Sequence, residues 1–183
     1  MDAERTPVDL GRRAGPLVGP GLVLREWQQR DLPDMVELFD DPDIGWRTPL
    51  PTPFTPADAA ARLLRAREPD RLMLAVTTDG RQPLGEVLLS ADGELGYLLG
   101  RQHRGQGLAS RALLLLREHA HRTVGLPVLR LRIEPDNQAS IAVARRAGFR
   151  LTRPAAEVVE QKGRRAVLDV WEHTAPPPEG VPT

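Results

Sequence analysis

Apolar and polar positions along the chain follow two periods, and the switch between them marks the elements. Leu22–Glu26, Leu72–Thr77, Pro83–Ser90, Glu94–Leu99 and Val128–Ile133 are short runs rich in Leu and Val. The last alternates strictly, V-L-R-L-R-I, and all five read as strands. Between the first two, the period lengthens. Asp31 is an N-cap candidate, Pro33 sits in the first turn, and Met35, Leu38 and Phe39 share one helical face. Thr55 with Pro56 opens a second helix that runs to Arg67. A third helix carries Leu108, Ala112, Leu115 and Leu116, and its Leu113–Leu116 run reads as core. A fourth runs from Asn137 to Ala147 and stops at Gly148. Asp79-Gly80 and Asp92-Gly93 are hairpin turns and make the middle strands an antiparallel meander. Phe149–Glu160 and Arg165–Glu172 form a closing hairpin around Lys162-Gly163.

Residues 1–19 mix charges with Gly and Pro without a period and read as a flexible arm. The Pro-rich 175–183 reads as a disordered tail, which leaves 20–174 as one domain. Asp41–Pro53 reads as a turn-rich connection, long for a link between two helices.

Composition removes several functions. The formal net charge is zero, and three Trp, three Phe and one Tyr are few aromatics for stacking bases; no nucleic-acid surface is expected. No apolar run approaches the ~18 residues of a membrane span, and the N-terminus lacks a signal-peptide core, so a cytoplasmic protein is expected. With no cysteine, disulfides, thiolate zinc and a cysteine nucleophile are excluded. His119 and His121 point to different helix faces, His103 lies in a turn and His173 near the end. None has ligand spacing, and no metal is expected.

The candidate chemistry lies in E-L-G-Y-L-L-G-R-Q-H-R-G-Q-G-L-A, from Glu94 to Ala109. A strand opens into a turn rich in Gly and Arg, then into a helix. Gln102, Gly105 and Gly107 form Q-x-x-G-x-G at the helix mouth, where unpaired N–H groups and the macrodipole favour an anion. Glycines admit an oxygen-rich group without a Cβ in the way, and Arg101, Arg104 and Arg111 add positive charge. The pattern suits a diphosphate. G-x-x-x-x-G-K-[ST] is absent, which removes a P-loop. Ser110 follows where a dinucleotide fingerprint needs Gly or Ala, and the turn lies past mid-chain.

This block resembles the acetyl-CoA motif of the GNAT superfamily of N-acetyltransferases. Two further blocks agree. N-Q-A-S-I-A-V-A-R-R-A-G-F, from Asn137 to Phe149, is similar to the family's N-x-x-[AS]…G-F segment. Leu22–Arg25, Asp31-Leu32 and Asp41-Pro42 resemble the opening of its Rim-type branch, the ribosomal-protein-alanine N-acetyltransferases. The resemblance implies an α+β sandwich: a mixed, mostly antiparallel central sheet of about six to seven strands, with helices on both faces. It also implies a splay between the fourth and fifth strands, acetyl-CoA as co-substrate, and transfer of acetyl to a primary amine by direct attack on the thioester. The amine is a protein N-terminus or a small molecule, and the protein a monomer or homodimer, with the closing hairpin offering an edge.

Carried onto this chain, Tyr97, Leu98 and Leu99 hold the pantetheine arm, with the Leu98 or Leu99 N–H as oxyanion donor. Gln102, His103, Arg104, Gly105, Gln106, Gly107, Leu108 and Ala109 form the diphosphate loop. Asn137 bonds the pantetheine or simply caps its helix. The tyrosine that many members carry seven residues after this Asn is Ala144 here, so Ser140 becomes the candidate donor to the leaving sulfur. The base is Glu94, Glu86 or water. A free α-amine titrates near ~8 and lysine near ~10.4, so the former needs little help. The missing tyrosine also admits a non-catalytic acyl-CoA-binding module on the same scaffold. In the resemblance the Asp41–Pro53 segment borders the acceptor groove, where it touches substrate or is mere connection.

Overall fold

A computed structural model describes residue 10 and residues 15–177. Its elements run β1 Leu17–Gly19, β2 Leu22–Glu26, α1 Leu32–Phe39, α2 Pro42–Arg47, α3 Pro56–Arg65, β3 Arg71–Thr77, β4 Gly85–Ser90, β5 Leu95–Leu99, α4 Leu108–Arg122, β6 Val128–Ile133, α5 Gln138–Arg146, β7 Arg150–Gln161 and β8 Arg164–Thr174. β1 to β5 form an antiparallel sheet in sequence order, and β6-β8-β7 form a second, three-stranded one. Among the described residues the two meet at one parallel bridge, Glu94 with Arg130.

β3 lies between β2 and β4 and is buried from Leu72 to Thr77, which is why its sequence is a continuous apolar run rather than an alternation. On one face of the sheet, α4 and α5 bury Leu108, Ala112, Leu113, Leu116, Ile141 and Ala144 against strand residues including Leu24, Leu74, Val87 and Leu95. On the other, Met35, Leu38, Phe39, Ile44 and Leu63 from α1–α3 cover Ala75. Helices therefore cover both faces, as expected.

Three expectations change. Leu17–Gly19, assigned to the arm, is a strand paired with β2 in the register Leu17↔Leu24, its turn made at Gly21 with φ 62°. Among the described residues the strands thus number eight. Asp41–Pro53 contains α2, with Asp41 as N-cap accepting the Asp43 N–H at 2.8 Å. At the start of the expected tail, the Ala175 N–H donates to Pro127 O at 2.8 Å. Residues 1–9, 11–14 and 178–183 of the expected arm and tail lie outside the described residues.

Two histidines have structural roles. His121 Nδ1–H donates to Leu126 O (2.6 Å), and its Nε2 shares a hydrogen bond with His173 Nδ1 at 2.9 Å. His173 is held at about 4, chiefly by burial, with repulsion from Arg117 and His121 adding to it. The unfolded chain takes this proton near the ordinary value of 6.5, while the folded state refuses it until about 4. The contribution of His173 to stability is complete above that upper value and is lost as pH falls toward the lower one. In melts across this window, His173→Gln is expected to flatten the fall of Tm relative to wild type. Equal slopes would remove His173 as its cause.

Candidate active site

After Leu99 the chain makes one 3-10 turn, Arg101–His103, and enters α4 through Gly107. Gly105 and Gly107 have φ of 76° and 71°, a region that suits glycine. A Cβ at either would meet nothing within 4 Å, so the inner side of the turn is open. No side chain caps α4. The Leu108, Ala109 and Ser110 N–H groups consequently face out of a 15-residue helix with its positive end exposed. At the other end of the turn, a Cβ at Gly100 would run into Leu38, which seats the turn against α1. Gln102 and Gln106 are exposed and His103 half-buried; Gln106 Nε2 donates to Gln102 O at 3.2 Å.

The expected cluster of arginine charge is largely spent elsewhere. Arg104 bonds Asp41 at 2.7 Å and Asp43 at 3.3 Å, and its Nε donates to Leu99 O at 3.2 Å. Arg111 donates to Pro20 O and Gly21 O. Arg101 stays exposed. The cradle is therefore made by backbone N–H groups more than by guanidinium groups.

Beyond the Glu94–Arg130 bridge, β5 and β6 part. The Ser90 N–H donates to Glu94 O (2.9 Å) and the Gly100 N–H to Leu84 O (3.0 Å). Opposed residues of an antiparallel pair alternate between bonded and non-bonded. Gly96 and Leu98 therefore turn their backbone groups to β4, where Leu98 stands opposite Glu86. Tyr97 and Leu99 turn theirs into the splay. On the facing strand, the Ala175 N–H to Pro127 O bond and the β6–β8 register leave Arg132 turned toward β5. This corrects Leu98 as the backbone donor: its N–H belongs to the β4 ladder, and the splay-facing donors are Tyr97 and Leu99.

α5 begins beside this opening. Asn137 Oδ1 accepts the Ser140 N–H at 3.1 Å, so the helix-cap role is realised. Ser140 is half-buried in the first turn, and Ala144 lies fully buried one turn on. The two carboxylate candidates separate. Glu86 is 1% exposed on the α1–α3 side of the sheet and paired with Arg62 of α3. Glu94 is half-exposed at the bridged end of the splay, where Arg132 holds it at 2.7 and 2.9 Å and also reaches Glu157. Four residues of strand, roughly 13 Å, separate Glu94 from Leu98.

The Asp41–Pro53 segment, which the resemblance put beside the acceptor groove, stands there as the helix α2. Arg104 ties its N-terminal Asp41 to the end of β5, and Arg47 ties its last turn to Asp136 at 2.6 Å, just past β6. Asp136 is held below its ordinary range by that guanidinium. Lys162 from the β7–β8 turn bonds Gly45 O and Leu50 O, and Arg164 bonds Glu134 at 2.6 Å while lying over Trp46 at 4.4 Å. α2 thus spans the mouth of the splay, on the face opposite α4 and α5. Its readable signal was Asp41-Pro42, an N-cap followed by a first-position proline.

The chain is similar to known proteins in sequence and in fold. The family described as the acetyltransferase (GNAT) domain matches residues 21–150. The chain is 25% identical over 162 residues to a Bacillus licheniformis protein described as uncharacterized N-acetyltransferase p20, covering 82% of this chain and 89% of the relative. Among solved structures it is similar to a GNAT-family acetyltransferase from Bacillus anthracis (TM-score 0.78, 16% identity, 87% of this chain and 98% of that one). It is also similar to Mycobacterium smegmatis RimJ in complex with CoA-disulfide (TM-score 0.75, 21% identity, 90% and 89%).

Proposed function

Because the chain belongs to the GNAT acetyltransferase family, we propose that it transfers acetyl from acetyl-CoA to a primary amine, a protein or peptide α-amine in preference to a lysine or polyamine. The carrying observation is the uncapped, glycine-opened start of α4 set beside two strand edges with unpaired backbone groups. This arrangement fits a diphosphate followed by an amide-bearing arm. The N–H groups of the Arg104–Ala109 turn, with Gln102, His103, Gln106 and Leu108 lining it, would hold the diphosphate. The splay-facing groups of Tyr97 and Leu99 and the side-chain amide of Asn137 would hold the arm. The thioester supplies an activated acyl group when bound. The Tyr97 or Leu99 N–H donates to the acyl oxygen as charge gathers on it, and Ser140 donates to the sulfur.

The preference for an α-amine follows from the carboxylates. Glu86 is enclosed in an ion pair and Glu94 is held by Arg132. An amine titrating near ~8 sheds its proton to water without a dedicated base, whereas one near ~10.4 does not. The rim is not acidic either: Glu134 and Asp136 are offset by Arg47, Lys162 and Arg164, and a polycation gains little there.

CoA release measured over a panel of peptide α-amines, lysine derivatives and spermidine tests this. Peptides are expected to give the highest kcat/KM, about tenfold or more over the rest, rising with pH to a plateau near the α-amine value of ~8. Preference for spermidine would overturn the acceptor assignment. Acetyl-CoA binding without CoA release from any amine would instead identify a non-catalytic acyl-CoA-binding module.

A further inference from the structure

Tyr97 on β5 and Ser140 in the first turn of α5 carry hydroxyl groups on the same face of the sheet, beside the splay. Tyr97 leaves β5 on the α4–α5 face and packs against the larger core. Its hydroxyl is buried and has no hydrogen-bond partner among the described residues. Burial pushes the phenol up to about 12, and the Ser140 side chain is the polar group that acts against that shift. No hydrogen bond closes between the two hydroxyls. A buried hydroxyl without a partner destabilises a fold, and each case calls for a reason. Among the described residues the other unpartnered buried groups are Trp27 and Trp171 Nε1, Gln161 Nε2 and Ser110 Oγ, and none of them lies on a splay-facing strand position. Ala144, fully buried in α5, offers nothing to this space.

We propose that Tyr97 is a catalytic residue that, with Ser140, grips the sulfur of the acetyl donor by donating its phenolic hydrogen bond to that atom. This rests on the acetyl-transfer reading above. The C–N bond forms as the C–S bond breaks, and the electron pair leaves on sulfur. The amine proton goes to water, and the thiolate takes a proton from water as CoA departs. Tyr97 keeps its proton throughout. Two donors on one sulfur favour its anionic form, as hydrogen bonds to a charged form do elsewhere.

The test is titration of the CoA thiol on the protein, followed by thiolate ultraviolet absorbance, in wild type, Tyr97→Phe and Ser140→Ala. On wild type the bound thiol is expected to titrate below its free value near ~8.5. Tyr97→Phe is expected to raise that midpoint by about one unit, about a tenfold loss of thiolate at fixed pH, and to lower kcat by about tenfold with the acetyl-CoA KM within about twofold. The ligand-free Tm should hold or rise, because the partnerless hydroxyl is gone. A merely structural tyrosine would lower Tm and leave the thiol midpoint alone. In wild type itself, the affinity ratio of CoA to desulfo-CoA should climb as pH crosses the bound-thiol midpoint. A flat ratio, or an unmoved midpoint in Tyr97→Phe, would overturn this inference alone. Failure of wild type to bind CoA would overturn the acetyl-transfer reading with it.

Discussion

Gly105→Glu is expected to abolish acetyl-CoA binding while the fold survives. A ligand bound only by the folded state at about a hundredfold excess over Kd stabilises it by ~2.7 kcal/mol. At about 2–4 °C per kcal/mol for a chain of this size, the wild-type Tm should rise by roughly 5–10 °C with acetyl-CoA. The substitution acts on that shift in two ways. Position 105 has φ 76°, where a side chain costs about 1–2 kcal/mol, so the ligand-free Tm falls modestly. No atom lies within 4 Å of the added Cβ, so there is no clash inside the protein. The carboxylate instead stands among the N–H groups that open α4, where a diphosphate would bring like charge. Gly105→Ala carries the same backbone strain without the charge and is expected to keep a reduced shift. A full shift in Gly105→Glu would show that the diphosphate lies elsewhere.

That loop was readable because its physics is local. Two glycines before an apolar helix face predict positive φ and an uncapped helix start, and both are present. The hairpin turns were readable for the same reason: Gly80 and Lys162-Gly163 sit at positive φ, and β6 is Val128–Ile133 as its alternation predicts. What was not readable depends on partners distant in sequence. Leu98 could be placed on a strand end, but the direction of its N–H is set by pairing with β4. Arg104 read as charge for the cradle, yet Asp41, 63 residues away, takes it. β1 is three residues between Pro16 and Pro20, and Val18 is 70% exposed, so it carries no period. α2, at six residues, is too short to show one. Glu86 looked equivalent to Glu94 because nothing local reveals that it is enclosed.

The enclosure of Glu86 makes Arg62→Ala the second large effect. Arg62 Nε donates to one Glu86 carboxylate oxygen at 3.2 Å and Nη2 to the other, and the guanidinium lies 5.6 Å from the Phe39 ring centroid. The Glu86 side chain is 2% exposed and that of Arg62 16%. Removing the arginine strands a carboxylate under α3, a change that costs about 3–5 kcal/mol, and Tm is expected to fall on the order of 10 °C. Glu86→Gln should cost less, since Arg62 lies nearer the surface. An Arg62→Met, Glu86→Leu double substitution is expected to recover most of the loss, because apolar replacement removes both desolvation penalties together. The same variants decide the chemistry. Assayed well below its Tm, Glu86→Gln should retain activity within a few-fold if the carboxylate only anchors α3 to the sheet. A loss of about 10²–10⁴ with little change in Tm would mark it as the general base and return a lysine or polyamine to the acceptor list.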